Sequence, residues 1–166
     1  MENLLFVDVQ AVGSPGSGFP LEIAWKYPGG ELHSFLIKNP VAEIPPRIRK
    51  LTGITPEDLV GNGAVTLEEA VKIFKSAARG RKLVAHHAVY ERNWLRELTG
   101  IEYDFACTRE LARETLENLR SGSLRAVAGR IGLSVGPRRR AREHALATEA
   151  IYSALIRGFR ERAPLR

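Results

Sequence analysis

The chain has 166 residues, 44% of them hydrophobic and 27% charged, which predicts one ordinary globular domain and excludes a fibrous or disordered protein. Its net charge of +6 favours a polyanionic partner, since basic side chains release counterions when they neutralise phosphates. A single cysteine, Cys107, excludes an intrachain disulfide. Met1-Glu2-Asn3 lacks the basic start of an export signal, and the apolar run after it reaches Asp8 too soon to span a bilayer. The expectation is a soluble, cytoplasmic protein with no membrane partner.

Leu4 to Val9, Glu22 to Tyr27 and Leu32 to Lys38 predict three strands, the last two joined by the turn Pro28-Gly29-Gly30. Between the first two lies Gly13-Ser14-Pro15-Gly16-Ser17-Gly18, which lacks the Lys-Ser/Thr ending of a phosphate-cradling loop and is read as a flexible connector. From Pro45 the pattern turns helical. Thr55-Pro56-Glu57-Asp58 has the form of a capped helix start, and Thr66-Leu67-Glu68-Glu69 that of a capping box ahead of a helix ending near Arg79.

Lys82 to Ala85 then predicts a buried strand, Val89 to Leu98 a helix stopped at Thr99-Gly100, and Tyr103 to Cys107 a short strand feeding a helix from Thr108. Ser123 caps a further helix through Ile131, ended by Gly132. After the basic loop Pro137 to Arg142, Leu146, Ala150, Ile151, Ala154 and Leu155 form the apolar stripe of a last helix. A meander of three strands followed by strands separated by helices predicts an α/β domain. Its core is a mixed five-stranded sheet covered by helices, over residues 1–160, with a basic tail at 161–166.

Three segments carry residues suited to chemistry. Asp8 and Gln10 have the period-two spacing that sends both side chains to one face of the first strand. His86-His87-Ala88-Val89-Tyr90-Glu91 follows an apolar strand and opens a helix, the position where ligand sites gather in open α/β sheets. His144 and Glu149 are separated by about 500° of helical rotation, so within one ideal helix they point about 140° apart; they share a cleft only if His144 lies at or before the helix start. Each has a plain structural alternative: a strand-end acid, a first-turn acid, a surface histidine.

In their order and setting, the three segments resemble the histidine subtype of the DEDD exonucleases, the family of the proofreading subunit of bacterial DNA polymerase III. Glu22-Ile23-Ala24, Leu51-Thr52-Gly53-Ile54-Thr55, Leu111-Ala112-Arg113, Ser123-Leu124 and Ile131-Gly132-Leu133 extend the likeness from Leu4 to about Leu155. The resemblance implies an RNase H-like sheet in the order 3-2-1-4-5. It also implies 3′-to-5′ hydrolysis of single-stranded DNA or RNA with two divalent cations, Mg2+ or Mn2+. Carried over, Asp8 bridges the ions, Gln10 and Glu149 complete one, Glu91 supports the other, and His144 is the general base. Ile54 and His87 fall near the terminal nucleotide, and Arg140, within the cluster Arg138, Arg139, Arg140 and Arg142, near a phosphate. A polymerase or another protein partner is also in keeping with the family.

The match is broken at three positions. Gln10 replaces a glutamate and so withdraws one negative charge, at a cost of up to about 4 kcal/mol in cation binding. Glu91 and Glu149 replace aspartates and are one methylene longer, which disfavours geometrically strict magnesium and predicts a preference for manganese. These changes put the second ion in question. Two hypotheses follow: a rearranged, working nuclease, or a decayed module that binds nucleic acid or a protein without hydrolysis.

Overall fold

The computed structural model describes residues 3–162, with side chains to residue 158. Six strands form one sheet: β1 (Leu4–Val12), β2 (Phe19–Lys26), β3 (Leu32–Ile37), β4 (Ala64–Val65), β5 (Lys82–Ala85) and β6 (Phe105–Cys107), in the order β4-β3-β2-β1-β5-β6. The expected order survives within it. The addition is β4, a two-residue pairing with β3 too short to leave a pattern in the sequence. β1 runs antiparallel to β2 and parallel to β5, so the opening meander is welded to the alternating half through β1.

Alternation along β1 decides everything that follows. Leu5, Val7 and Val9 point to one face, where they pack with Trp25, Phe74, Trp94 and Leu95. Trp25 stands beside them on β2, and the covering side chains come from α2 (Leu67–Ala78) and α3 (Ala88–Thr99). The capping box at Thr66 and Glu69 starts α2 as expected. Phe6, Asp8 and Gln10 take the opposite face, together with their ladder partners Lys26, Ala24 and Glu22. That face is covered by the long last helix, which is supported in turn by two shorter helices at Thr108–Thr115 and Leu124–Arg130. Ser123 caps the second of these with its side chain.

Two local expectations are corrected. The helix after Pro45, α1, is Pro46–Thr52, closed by Gly53 in the left-handed region, so Thr55 to Asp58 starts only a single turn of 3₁₀ helix at Glu57–Leu59. The loop from Gly13 to Gly18 is a hydrogen-bonded turn on the Ser14 carbonyl, and a Cβ on Gly18 would collide with the carbonyl of Val12. It is a shaped connection between β1 and β2, because only glycine lets the two backbones approach so closely.

The last helix, Ala141–Arg162, begins three residues before His144. The basic tail expected at 161–166 lies outside the described residues beyond Arg162. No helix among the described residues is long and apolar enough to cross a membrane.

Candidate active site

The site forms where the last helix crosses β1 and β2. The start of that helix is set from a distance. Glu22, wholly buried on β2, accepts hydrogen bonds from the Ala141 N–H at 2.7 Å, from Arg140 Nε at 2.9 Å and Nη2 at 3.1 Å, and from Ser34 Oγ at 2.8 Å. A carboxylate at a helix N-terminus satisfies an orphan donor and complements the dipole. Here the cap comes from 119 residues away in sequence, and sequence inspection missed its role. Its signal was a charged residue in an otherwise apolar strand, Leu21-Glu22-Ile23-Ala24-Trp25.

One turn into the helix, His144 Nδ1 lies 3.3 Å from Asp8 Oδ1. The other Asp8 oxygen accepts from the Gln10 amide, on the same strand face as the period-two spacing requires. Asp8 is 5% exposed. Burial raises its pKa, the His144 and Gln10 contacts oppose that rise, and the negative charge of Glu22 adds to it.

Glu91, in the first turn of α3, is also 5% exposed, and its Oε2 is buried with no hydrogen-bond partner. Burial raises its pKa well above the ordinary carboxylate range, the charge of Asp8 raises it further, and a backbone hydrogen bond opposes the rise. Two buried acids from distant segments therefore interact electrostatically, Asp8 with both oxygens partnered and Glu91 with its Oε2 unpartnered. That arrangement fits an oxygen-seeking cation, which would neutralise both and fill the vacant coordination of Oε2.

Glu149 does not join them. Its Oε2 lies 3.1 Å from Lys26 Nζ, and its Oε1 accepts the Gly29 N–H at 2.6 Å. Because the helix begins before His144, both residues sit inside it and diverge as the rotation demands: His144 over β1, Glu149 over the β2–β3 hairpin. Among the described residues, no group of three or more His, Cys, Asp or Glu side chains is arranged to hold a metal ion.

The residues expected near substrate are divided. His87 is exposed at the start of α3 with φ of 130°, a strained value for a side chain with a Cβ. Ile54 is fully buried against Leu21, Ile44 and Leu59. Arg140 is committed to Glu22, whereas Arg138, Arg139 and Arg142 are exposed. The basic loop is tethered to the Gly53 turn, for the Arg139 N–H donates to the Leu51 carbonyl at 2.7 Å and Arg138 packs against the bare Cα of Gly53. Burial raises the Tyr90 phenol, and among smaller influences the charge of Arg139 opposes it, which places this loop beside the start of α3.

His86 is a locking residue. Its Nδ1 meets Thr108 Oγ1 and its Nε2 meets the Gly122 carbonyl, both at 2.9 Å, so Nε2 carries the hydrogen and Nδ1 accepts. Burial, chiefly, pushes its pKa down to about 4 and keeps the ring neutral.

No family model matches the chain. It is 36% identical over 126 residues to a Mycobacterium tuberculosis protein described as a bifunctional exonuclease/endonuclease, covering 71% of this chain and 19% of that one. It is 30% identical over 119 residues to DNA polymerase III subunit epsilon of Aquifex aeolicus, covering 68% of this chain and 58% of the relative. The chain thus spans less than two thirds of either relative. Among solved structures, E. coli exonuclease I in complex with a dT13 oligonucleotide superimposes with a TM-score of 0.77 at 16% identity, over 93% of this chain and 40% of that one. Exonuclease X in complex with 5′ overhanging duplex DNA gives 0.68 at 20% identity, over 93% and 91%. At such identities these likenesses establish the fold.

Proposed function

We propose, for a chain that belongs to the DEDD-type, RNase H-like 3′–5′ exonuclease family, that it hydrolyses phosphodiester bonds at the 3′ end of single-stranded DNA or RNA with a divalent cation held by Asp8 and Glu91. The observations that carry this reading are the contact of His144 with Asp8 and the electrostatic influence of Asp8 on the buried Glu91, three residues from segments more than fifty residues apart. A bound cation would polarise the scissile phosphate and acidify the attacking water.

The protein groups have separate tasks. Asp8 would offer the cation a remaining lone pair of Oδ2, the oxygen that accepts from Gln10, and faces His144 with Oδ1. With Nδ1 directed to that carboxylate, His144 keeps Nε2 free to accept a proton from water. Gln10 steadies Asp8 through its amide. The exposed Arg138, Arg139 and Arg142 would offer sequence-independent contacts to the phosphate backbone, and the exposed His87 at the start of α3 would approach the terminal nucleotide.

Manganese would serve this site better than magnesium, since the longer Glu91 arm, the amide of Gln10 and the commitment of Glu149 to Lys26 leave only two acids for a geometrically strict ion. Incubating the protein with a 3′-ended single strand and Mn2+ releases mononucleotides, and His144→Ala lowers the rate about 10²-fold or more while Mn2+ still binds. Absence of product with every metal tried rules out the hydrolytic reading.

A second reading, a module that binds nucleic acid without cutting it, is favoured by the diversion of Glu149 to Lys26. Retention of a single strand with no release of nucleotides is its signature.

A further inference from the structure

Glu149 belongs to a cluster that is complete in itself. Lys26, only 8% exposed on β2, places its ammonium 3.1 Å from Glu149 Oε2 and donates to the carbonyls of Gly30 at 2.8 Å and Tyr27 at 3.2 Å. An ammonium has three protons to donate, and here all three have oxygen acceptors. The remaining Glu149 oxygen takes the Gly29 N–H.

In the ladder Lys26 pairs with Phe6, one same-face step along from the pairing of Ala24 with Asp8. Same-face residues are about 7 Å apart along a strand, so this cluster adjoins the Asp8 cleft without entering it. The contrast with Glu91 is chemical: Glu91 Oε2 is buried and lacks a partner, whereas Glu149 is already neutralised. Moving Glu149 to a metal would leave the buried Lys26 ammonium without its counter-ion, a strongly unfavourable exchange.

We infer that the cleft takes one divalent cation, on Asp8 and Glu91, and that Lys26 does the charge-balancing work of a second by holding Glu149 out of the coordination sphere. The single ion rests on the hydrolytic reading above; its number and the role of Lys26 do not depend on turnover.

The test is titration of the full chain with Mn2+, the free ion being followed by electron paramagnetic resonance, with circular dichroism as the check on folding. The wild type binds one ion per chain. The charge-neutral double variant Lys26→Met/Glu149→Gln, which removes the ion pair without leaving either charge uncompensated, binds that ion with a dissociation constant within about twofold, because a balanced pair outside the coordination sphere contributes little. Lys26→Met frees Glu149 and gains a second ion, whereas Lys26→Arg stays at one.

Two ions in the wild type, or a loss of about tenfold or more in Lys26→Met/Glu149→Gln, overturns the inference and leaves the exonuclease reading standing. A single ion in folded Lys26→Met overturns the role of Lys26. No ion in the wild type, with no nucleotide released, overturns the hydrolytic reading itself. If Lys26→Met does not fold, wild type and Lys26→Met/Glu149→Gln decide the number of ions, and restoration of the wild-type count and affinity in Lys26→Arg but not in Lys26→Gln decides the role of Lys26.

Discussion

Glu22 and Arg140, 118 residues apart in sequence, form a two-pronged ion pair on the buried face of β2, and the residue after Arg140 is capped by the same carboxylate. The pair therefore sets both where the last helix begins and which way it faces. His144 inherits that setting, since its own N–H bonds to the Arg140 carbonyl at 3.0 Å. Substitution of Glu22 by Ala leaves Arg140 and the Ala141 N–H without their acceptor and costs about 3 kcal/mol, the lower end for a broken buried pair because Arg140 is partly solvated. Urea unfolding measures this. A loss under about 1 kcal/mol would show that water replaces the carboxylate freely.

Glu91 behaves oppositely with and without metal. In the metal-free protein its buried carboxyl opposes folding at neutral pH, because burial and the neighbouring Asp8 both disfavour its charge. Glu91→Gln accordingly raises the melting temperature of the metal-free protein. Added Mn2+ raises that of the wild type and leaves the variant unmoved, since only the wild type binds it. A variant less stable than the wild type in the presence of a chelator would contradict this account.

Gln10 exchanges one benefit for another. Its amide now donates to Asp8, and Gln10→Glu removes that donor while adding a third carboxylate to the cleft. The metal-free protein becomes less stable, and the cation binds more tightly, by up to about a thousandfold. Calorimetric titration with Mg2+ and Mn2+ reads the change, and equal affinities in the two proteins would sink the charge argument.

The lock at His86 makes stability depend on pH. Its folded-state pKa is about 4 against an ordinary value of 6.5. As pH falls through about 6.5 the unfolded chain takes up a proton that the folded chain refuses until about 4, so the stability held above that window declines within it, by up to about 3 kcal/mol. The raised carboxyls of Asp8 and Glu91 contribute a slope of opposite sign, which makes the comparison with a variant necessary. Unfolding at pH 7.5 and at pH 4.5 shows a smaller difference in His86→Gln than in the wild type; parallel pH profiles would refute the assignment.

Much of the architecture was legible because it rests on local rules. The alternation of Leu5, Val7 and Val9 with Phe6, Asp8 and Gln10 places the acid and the amide on one face of β1 whatever surrounds them. The capping residues Thr66 and Ser123 mark their helices through contacts within four residues. By contrast β4 exists only because β3 offers it an edge, and Thr55 to Asp58 failed to open a helix although its local signal was sound.

The residue types at positions 8, 10, 91 and 144 and their order along the chain already suggested the acid-and-base chemistry proposed above, because side-chain identity and strand period are written in the primary structure. The partner of each acid was not. His144 and Glu149 part company because the last helix starts at Ala141, and it starts there because Glu22, on another strand, supplies the cap. That choice depends on contacts across more than a hundred residues, which no spacing rule conveys and only the packed chain settles.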